Sequence, residues 1–268
     1  MAMRRNRPVA LTIAGSDPGG GAGVQADLKT FAALGVYGYS ALTAVIAQNS
    51  RAVTRVAPIE PAMVAAQIDA VVRECRPGAV KTGALGSAAV VRAVARAIEE
   101  MRLPAPVVDP VIVSSAGVRL LDSAGERALS RYLIPLARVI TPNIPEAEAL
   151  TGIRIDGDAA MRAAARALLA MGARAVVIKG GHREGTSDAA DLLYDGRRFV
   201  ELRAPRIPGG GAHGTGCAFS AAMAAYLARG AELESAVRAA KRYVTAALRR
   251  SFRLGSGRAV LDHFPRRP

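Results

Sequence analysis

"VALTIAGSDPGGGAGVQADLKTFAALG", residues 9–35, decides the fold. The opening seven residues are an apolar run of strand length, too short for a core helix. The "SDPGGGAG" stretch that follows is a loop signal. From Val24 the pattern turns helical: Val24, Leu28, Phe31 and Leu34 fall on one side, and Gly35 is a stop. A buried strand, a glycine loop at its carboxyl end and an amphipathic helix make the first half of a βαβ unit.

The alternation continues outward. Strands are predicted at 40–48, 79–84, 106–113, 138–143 and 175–181. Helices are predicted at 60–75, with Pro61 in the first turn, and at 87–102, 122–134, 145–151 and 158–171. Strands alternating with helices imply a mainly parallel sheet covered on both faces. After residue 181 the order breaks. "DLLYDGRRFVELRAP" (191–205) predicts a hairpin turning at Asp195-Gly196, and two helices, 215–229 and 232–250, close the chain. No repeat, linker or composition shift divides the sequence, so one domain over 1–268 is expected, with a short basic tail at 1–7.

The composition, 51% hydrophobic and 22% charged, fits a globular protein with a real core. The two cysteines, Cys75 and Cys217, fit neither a disulfide framework nor a zinc spacing, so a reducing cytoplasm is expected. The apolar run after the basic N-terminus ends in Asp and glycines, unlike a signal peptide, and no segment approaches the ~20 apolar residues of a membrane span. Of 36 Lys and Arg residues only Lys29, Lys81, Lys179 and Lys241 are lysine. The arginines lie scattered among alanines and read as solvated helix faces. With 4% aromatic residues and no basic tract interleaved with aromatics, the net charge of +14 does not make a nucleic-acid groove.

Six polar constellations fall at predicted strand ends: Asp17 with its glycines, Gln48-Asn49, Lys81-Thr82, Asp109, Thr141-Asn143-Glu146 and Lys179. Any one could simply be a strand meeting a loop; together they mark a site outside the carboxyl ends of parallel strands. "GGGAHGTGC" (209–217) lacks the GK[ST] of a nucleotide P-loop. Its glycines nevertheless lead straight into a helix, where free N–H groups and the dipole attract an anion. Cys217 has no metal-ligating company in Cys75, His182, His213 or His263. Packing filler is the bland alternative. At a helix N-terminus a thiol is expected to have a lowered pKa, so an activated group beside a phosphate nest is the preferred reading.

The ordered set "ALTIAGSDPGGGAGVQADLKTF", "TAVIAQNS", "VVDPV", "TPNIPEAEAL", "VIKGGH" and "HGTGCAFSAA" resembles the hydroxymethylpyrimidine/phosphomethylpyrimidine kinases of thiamine biosynthesis. The resemblance runs from about residue 9 to 250 in one register. It implies a ribokinase-like three-layer α/β/α fold with a mainly parallel central sheet. It also implies ATP-dependent phosphorylation of 4-amino-5-hydroxymethyl-2-methylpyrimidine, first on the hydroxymethyl oxygen and then on the resulting phosphate. ATP and Mg²⁺ would be the cofactors, and a cytoplasmic homodimer the working form.

By the same resemblance Gln48, Gly15, Asp17, Ala84 and Val111 would bind the pyrimidine. Gly214, Thr215 and Gly216 would form the anion hole. Cys217 would stand where related sugar kinases carry a catalytic Asp. Lys179, Asp109 and Asn143 would bind ATP, and Glu146 with Asp109 the metal. A Cys217 thiolate could take the alcohol's proton in the first step, whereas the second step, with a phosphate nucleophile, needs no base. Three departures stand out. "PGGG" (208–211) replaces a usual Lys-Asn, Ser115 replaces a loop lysine that Arg119 could stand in for, and Ala84 replaces a common methionine. A pyridoxal or pyridoxine kinase on the same scaffold is the runner-up; a metabolite-binding regulator and a nucleic-acid-binding protein are the alternatives of other classes.

Overall fold

The computed structural model describes residues 7–49, 52–114, 117–181, 188–207, 212–255 and 257–264. Ser115, His182, the basic tail up to Asn6 and the Pro-Gly-Gly-Gly stretch lie outside them. In chain order the elements are β1 (Val9–Ser16), α1 (Gly23–Ala33), β2 (Tyr37–Gln48), β3 (Val53–Pro58), α2 (Pro61–Glu74), β4 (Ala79–Thr82), α3 (Ala88–Glu100) and β5 (Val107–Val108). There follow α4 (Ser123–Ala128), β6 (Val139–Ile140), α5 (Ile144–Thr151), α6 (Asp158–Ala170), β7 (Val176–Ile178), β8 (Asp188–Tyr194), β9 (Phe199–Pro205), α7 (Thr215–Ala228) and α8 (Leu233–Arg249). A small hairpin, β10 (Phe252–Arg253) and β11 (Ala259–Val260), ends the series.

Among the described residues nine strands form one sheet in the order β3-β2-β1-β4-β5-β6-β7-β8-β9. The six strands from β2 to β7 in that order are parallel, while β3, β8 and β9 each run antiparallel to the strand before them. The parallel strands read as continuous apolar runs because both faces are covered. Ala10, Ala79, Val107, Val139 and Val177 point to a core shared with α1, α7 and α8. Their neighbours Leu11, Val80, Val108, Ile140 and Ile178 point to the opposite core, with α2, α3 and α6. Helix α7 is buried nearly all round, and its alanines let it lie close on the sheet.

Several expectations needed correction. Strand β3 was not predicted: it is exposed along most of its length and lacks the burial that makes a strand legible. The 106–113 strand joins the sheet only at Val107–Val108, and the chain then bends into the site, where Val113 makes a separate antiparallel bridge with Arg119. The helix expected at 122–134 is α4, a π turn at Leu129–Leu133 and a 3₁₀ turn at Ile134–Leu136. Pro135, which has no N–H to donate, lies in that last turn. The face of α1 carries Val24 and Phe31 as expected, but Asp27 and Thr30 are buried with them.

From β1 the chain steps to β2 on one side, and from β4 it steps to β5 on the other. The carboxyl ends of β1 and β4 therefore flank a topological switch point, where open α/β sheets bind ligands.

Candidate active site

A cleft of about 1150 Å³ opens at those strand ends. It is lined by Gly15, Gln48, Ala84, Val111, Asp109, Asn143, Glu146, Lys179 and Gly214–Cys217, so all but one of the residues expected at the site share one wall system.

The exception is Asp17. Its side chain is almost fully buried. Its carboxylate accepts from the amides of Gly19, Gly21 and Ala22, at 2.9, 3.1 and 2.8 Å, and from His213 Nε2 at 2.9 Å. Burial works against ionisation, but the bonds from His213, Ala22 and Gly19 outweigh it and hold the carboxyl below its usual range. Asp17 thus folds the glycine loop and ties it to the α7 entry, with both of its oxygens accepting hydrogen bonds. The two loops interlock tightly. Gly214 adopts φ +82°, and a Cβ there would fall 1.7 Å from the Gly21 carbonyl oxygen. Gly23, at φ +58°, packs on the Gly15 carbonyl in the same way.

At the head of α7, Gly214 is the N-cap, and the Thr215 hydroxyl turns back to the Ala212 carbonyl at 2.7 Å. The first amides of a helix lack intrahelical acceptors, which makes this end, on the cleft wall, a candidate anion site. Lys179 donates to Asp109 Oδ1 at 2.9 Å, and a Cβ on Gly216 would lie 3.1 Å from the Lys179 nitrogen. Burial opposes the charge on Lys179, yet Asp109 and Glu146 hold its pKa above the ordinary value. Ser220, one turn along α7, reaches Asp109 Oδ2 at 3.1 Å. It was not anticipated, because a serine inside an alanine-rich helix carries no distinctive signal.

Cys217 departs from expectation. Burial pushes its thiol up to about 11; Lys81 and the Gly23 amide lower it, and Asp109 and Asp27 raise it further. Loss of hydration therefore works against thiolate formation, opposite to the direction expected from the helix N-terminus.

Asn143 and Glu146 form a capping box on α5, with Asn143 N–H to Glu146 Oε2 and Glu146 N–H to Asn143 Oδ1 both at 2.9 Å. Burial raises the Glu146 pKa, Lys179 opposes, and Asp109 adds to it. Asp109 and Glu146, both lining the cleft, are oxygen donors suited to a divalent cation held jointly with phosphate oxygens. Among the described residues no group of three or more His, Cys, Asp or Glu side chains forms a complete protein cage. Farther along, Lys241 pairs with Asp191 at 2.7 Å, and Asp191 Oδ1 accepts the Gly180 amide at 3.0 Å. This pair also faces the cleft, near Val244, Leu248 and Pro205. It was missed because Asp191 lies inside the predicted hairpin and Lys241 inside a helix.

At the other end stand Gln48, Ile46, Ala84 and Val111. The Gly15 amide and the Thr43 hydroxyl both donate to the Ala84 carbonyl, at 3.1 and 2.6 Å. Val111 adopts φ +41°, a strained conformation for a β-branched residue, directly on the cleft wall. Arg119 also lines the cleft, but its guanidinium is paired with Glu126 and bonded to the Leu121 carbonyl.

A helix N-terminus suited to an anion, beside a Lys–Asp pair on a sheet with this switch point, matches a small-molecule kinase of ribokinase-like architecture. Residues 17–262 match the family described as phosphomethylpyrimidine kinase, and the chain belongs to that family. It is 50% identical to the hydroxymethylpyrimidine/phosphomethylpyrimidine kinase of Streptomyces coelicolor over 256 residues, 96% of this chain and 94% of that protein. It is 49% identical over 257 residues to the thiamine biosynthesis bifunctional protein ThiED of Geobacter sulfurreducens, 96% of this chain but only 52% of that protein. The ADP complex of Bacillus subtilis pyridoxal kinase is similar in structure, with TM-score 0.89 and 40% identity, covering 96% of this chain and 98% of that one.

Proposed function

We propose that the chain phosphorylates hydroxymethylpyrimidine with ATP, and then phosphorylates the product again to the diphosphate. The observation that carries this is the convergence of Gln48, the Asp109–Lys179 pair and the α7 N-terminus on one cleft. The pyrimidine lies toward Gly15, Gln48, Ala84 and Val111. The Gln48 amide offers an acceptor and a donor side by side, matching a ring nitrogen beside an exocyclic amine. ATP lies toward Lys241 and Val244, its phosphates reaching Lys179 and Gly214–Cys217. In the first step the hydroxymethyl oxygen bonds to the γ-phosphorus, the bond to the ADP oxygen breaks, and the alcohol proton is released. In the second step an oxygen of the monophosphate attacks in the same way. Mg²⁺, held by Asp109 and Glu146 with the phosphates, would neutralise their charge. The chain's own part is positioning and electrostatic stabilisation.

The structural likeness to a pyridoxal kinase supports pyridoxal as a second substrate, and small Ala84 leaves room for it. Gln48 favours the aminopyrimidine, since pyridoxal lacks the adjacent amine. Gln48→Ala should therefore cut kcat/KM for the pyrimidine by roughly 5- to 150-fold while sparing pyridoxal. Equal losses on both substrates would show that Gln48 does not read the amine.

The working form we propose is a cytoplasmic homodimer. Free Cys75 and Cys217 suit a reducing compartment. Exposed Val45 and Val56 beside the open edge of β3 offer a surface that a second copy would cover. Sedimentation should then give a dimer that Val56→Lys weakens; a monomer at high concentration would refute it. Among the described residues no helix is long and apolar enough to cross a membrane.

A further inference from the structure

Burying a lysine in a central strand is costly, yet Lys81 of β4 is fully buried. Its ammonium donates to Asp27 Oδ2 at 2.8 Å, and neither side chain is accessible to solvent. Thr12, the register neighbour of Lys81 on β1, donates to the same oxygen at 2.6 Å. Asp27 Oδ1 has no hydrogen-bond partner among the described residues. Apolar residues often replace a buried ion pair without loss of stability, so stability alone does not explain a pair with half its acceptor capacity unused.

Its orientation does. Lys81 reaches the cleft wall together with Ala14, Gly23, Asp109 and Cys217, while Asp27 is held on the buried face of α1. The pair presents its positive end to the cleft. Gly83 leaves room for it, since a Cβ there would lie 2.7 Å from the Lys81 nitrogen. Away from water this dipole is weakly screened.

We propose that Lys81 is a positioning residue of the reaction: its ammonium, anchored by Asp27 and Thr12, supplies the fixed positive potential at the head of α7. The inference rests on the kinase reading, in which negative charge moves past that helix end. The Lys81 charge favours the Cys217 thiolate, against burial and the carboxylates of Asp109 and Asp27. Lys81 itself has no solvent-accessible surface, so it acts through this field and not by touching substrate.

Paired alkylation of Cys217 tests the proposal in a Cys75→Ser background, which removes the exposed thiol. Iodoacetate is anionic and iodoacetamide neutral, and at one alkaline pH both meet the same thiolate. The ratio of their rates therefore reads local potential independently of turnover. Lys81→Met should lower the ratio about three- to tenfold, Lys81→Arg should largely preserve it, and Asp27→Asn, which removes the counter-charge, should raise it. In parallel, Lys81→Met should lower kcat for both steps roughly tenfold with little change in KM for ATP, and Lys81→Arg should restore it. An unchanged ratio in folded Lys81→Met overturns the proposal. Should that variant fail to fold, an unchanged ratio in Asp27→Asn overturns it equally. A parent protein that turns over neither substrate while the ratio still responds would sink the kinase reading and leave the potential standing.

Discussion

Cys217 shows how far one residue's chemistry depends on its surroundings. Its position at a helix N-terminus predicts a lowered pKa, but burial and two nearby carboxylates push the thiol up to about 11. A general base has to be deprotonated before it accepts a proton. We propose that Cys217 instead belongs to the anion hole, and that the alcohol proton leaves late because phosphoryl transfer has a loose transition state. Cys217→Ala should then slow both phosphorylations to a similar degree, by about tenfold. Single-turnover measurements from the alcohol and from the monophosphate read this directly. A loss confined to the alcohol would restore the thiolate base.

At the scale of elements, the site depends on two loops that only glycine lets approach. Gly214 and Gly230 have nearly the same left-handed backbone, φ +82° and +85°, but a Cβ on Gly230 would meet nothing within 4 Å. Gly230→Ala should cost about 1–2 kcal/mol, the left-handed penalty alone. Gly214→Ala must also push away the Gly21 carbonyl, so it should cost more than ~4 kcal/mol or prevent folding. Denaturant midpoints of the two variants compare these costs. Equal midpoints would mean that the loops can separate freely.

For the whole molecule, the question is what the charge of +14 is for. Many of the arginines are spent in exposed pairs such as Arg73–Asp69, Arg198–Glu234 and Arg238–Glu234, or stacked over Phe199. Such contacts describe a solvated surface rather than a groove. Duplex DNA should bind no tighter than ordinary non-specific affinity, about 10⁻⁴–10⁻⁶ M at physiological salt. A nanomolar, sequence-selective complex in a gel-shift titration would overturn that view.

The alternation of buried strands and amphipathic helices, and hence the parallel sheet, was legible in the sequence because each periodicity is local. The glycine loops and polar strand ends likewise announced a site at the switch point. Asp27 could have been noticed as a charge on the stripe of Val24, Leu28 and Phe31, but its partner Lys81 is 54 positions away. Exposed β3 left no pattern to read. What only the tertiary structure decided was the surroundings of the polar groups: Asp17 turned into its own loop, Asn143 and Glu146 closing a helix cap, and burial pushing the Cys217 thiol pKa up. Those outcomes depend on burial and on contacts between distant segments, and neither exists until the sheet and its two helical layers have assembled.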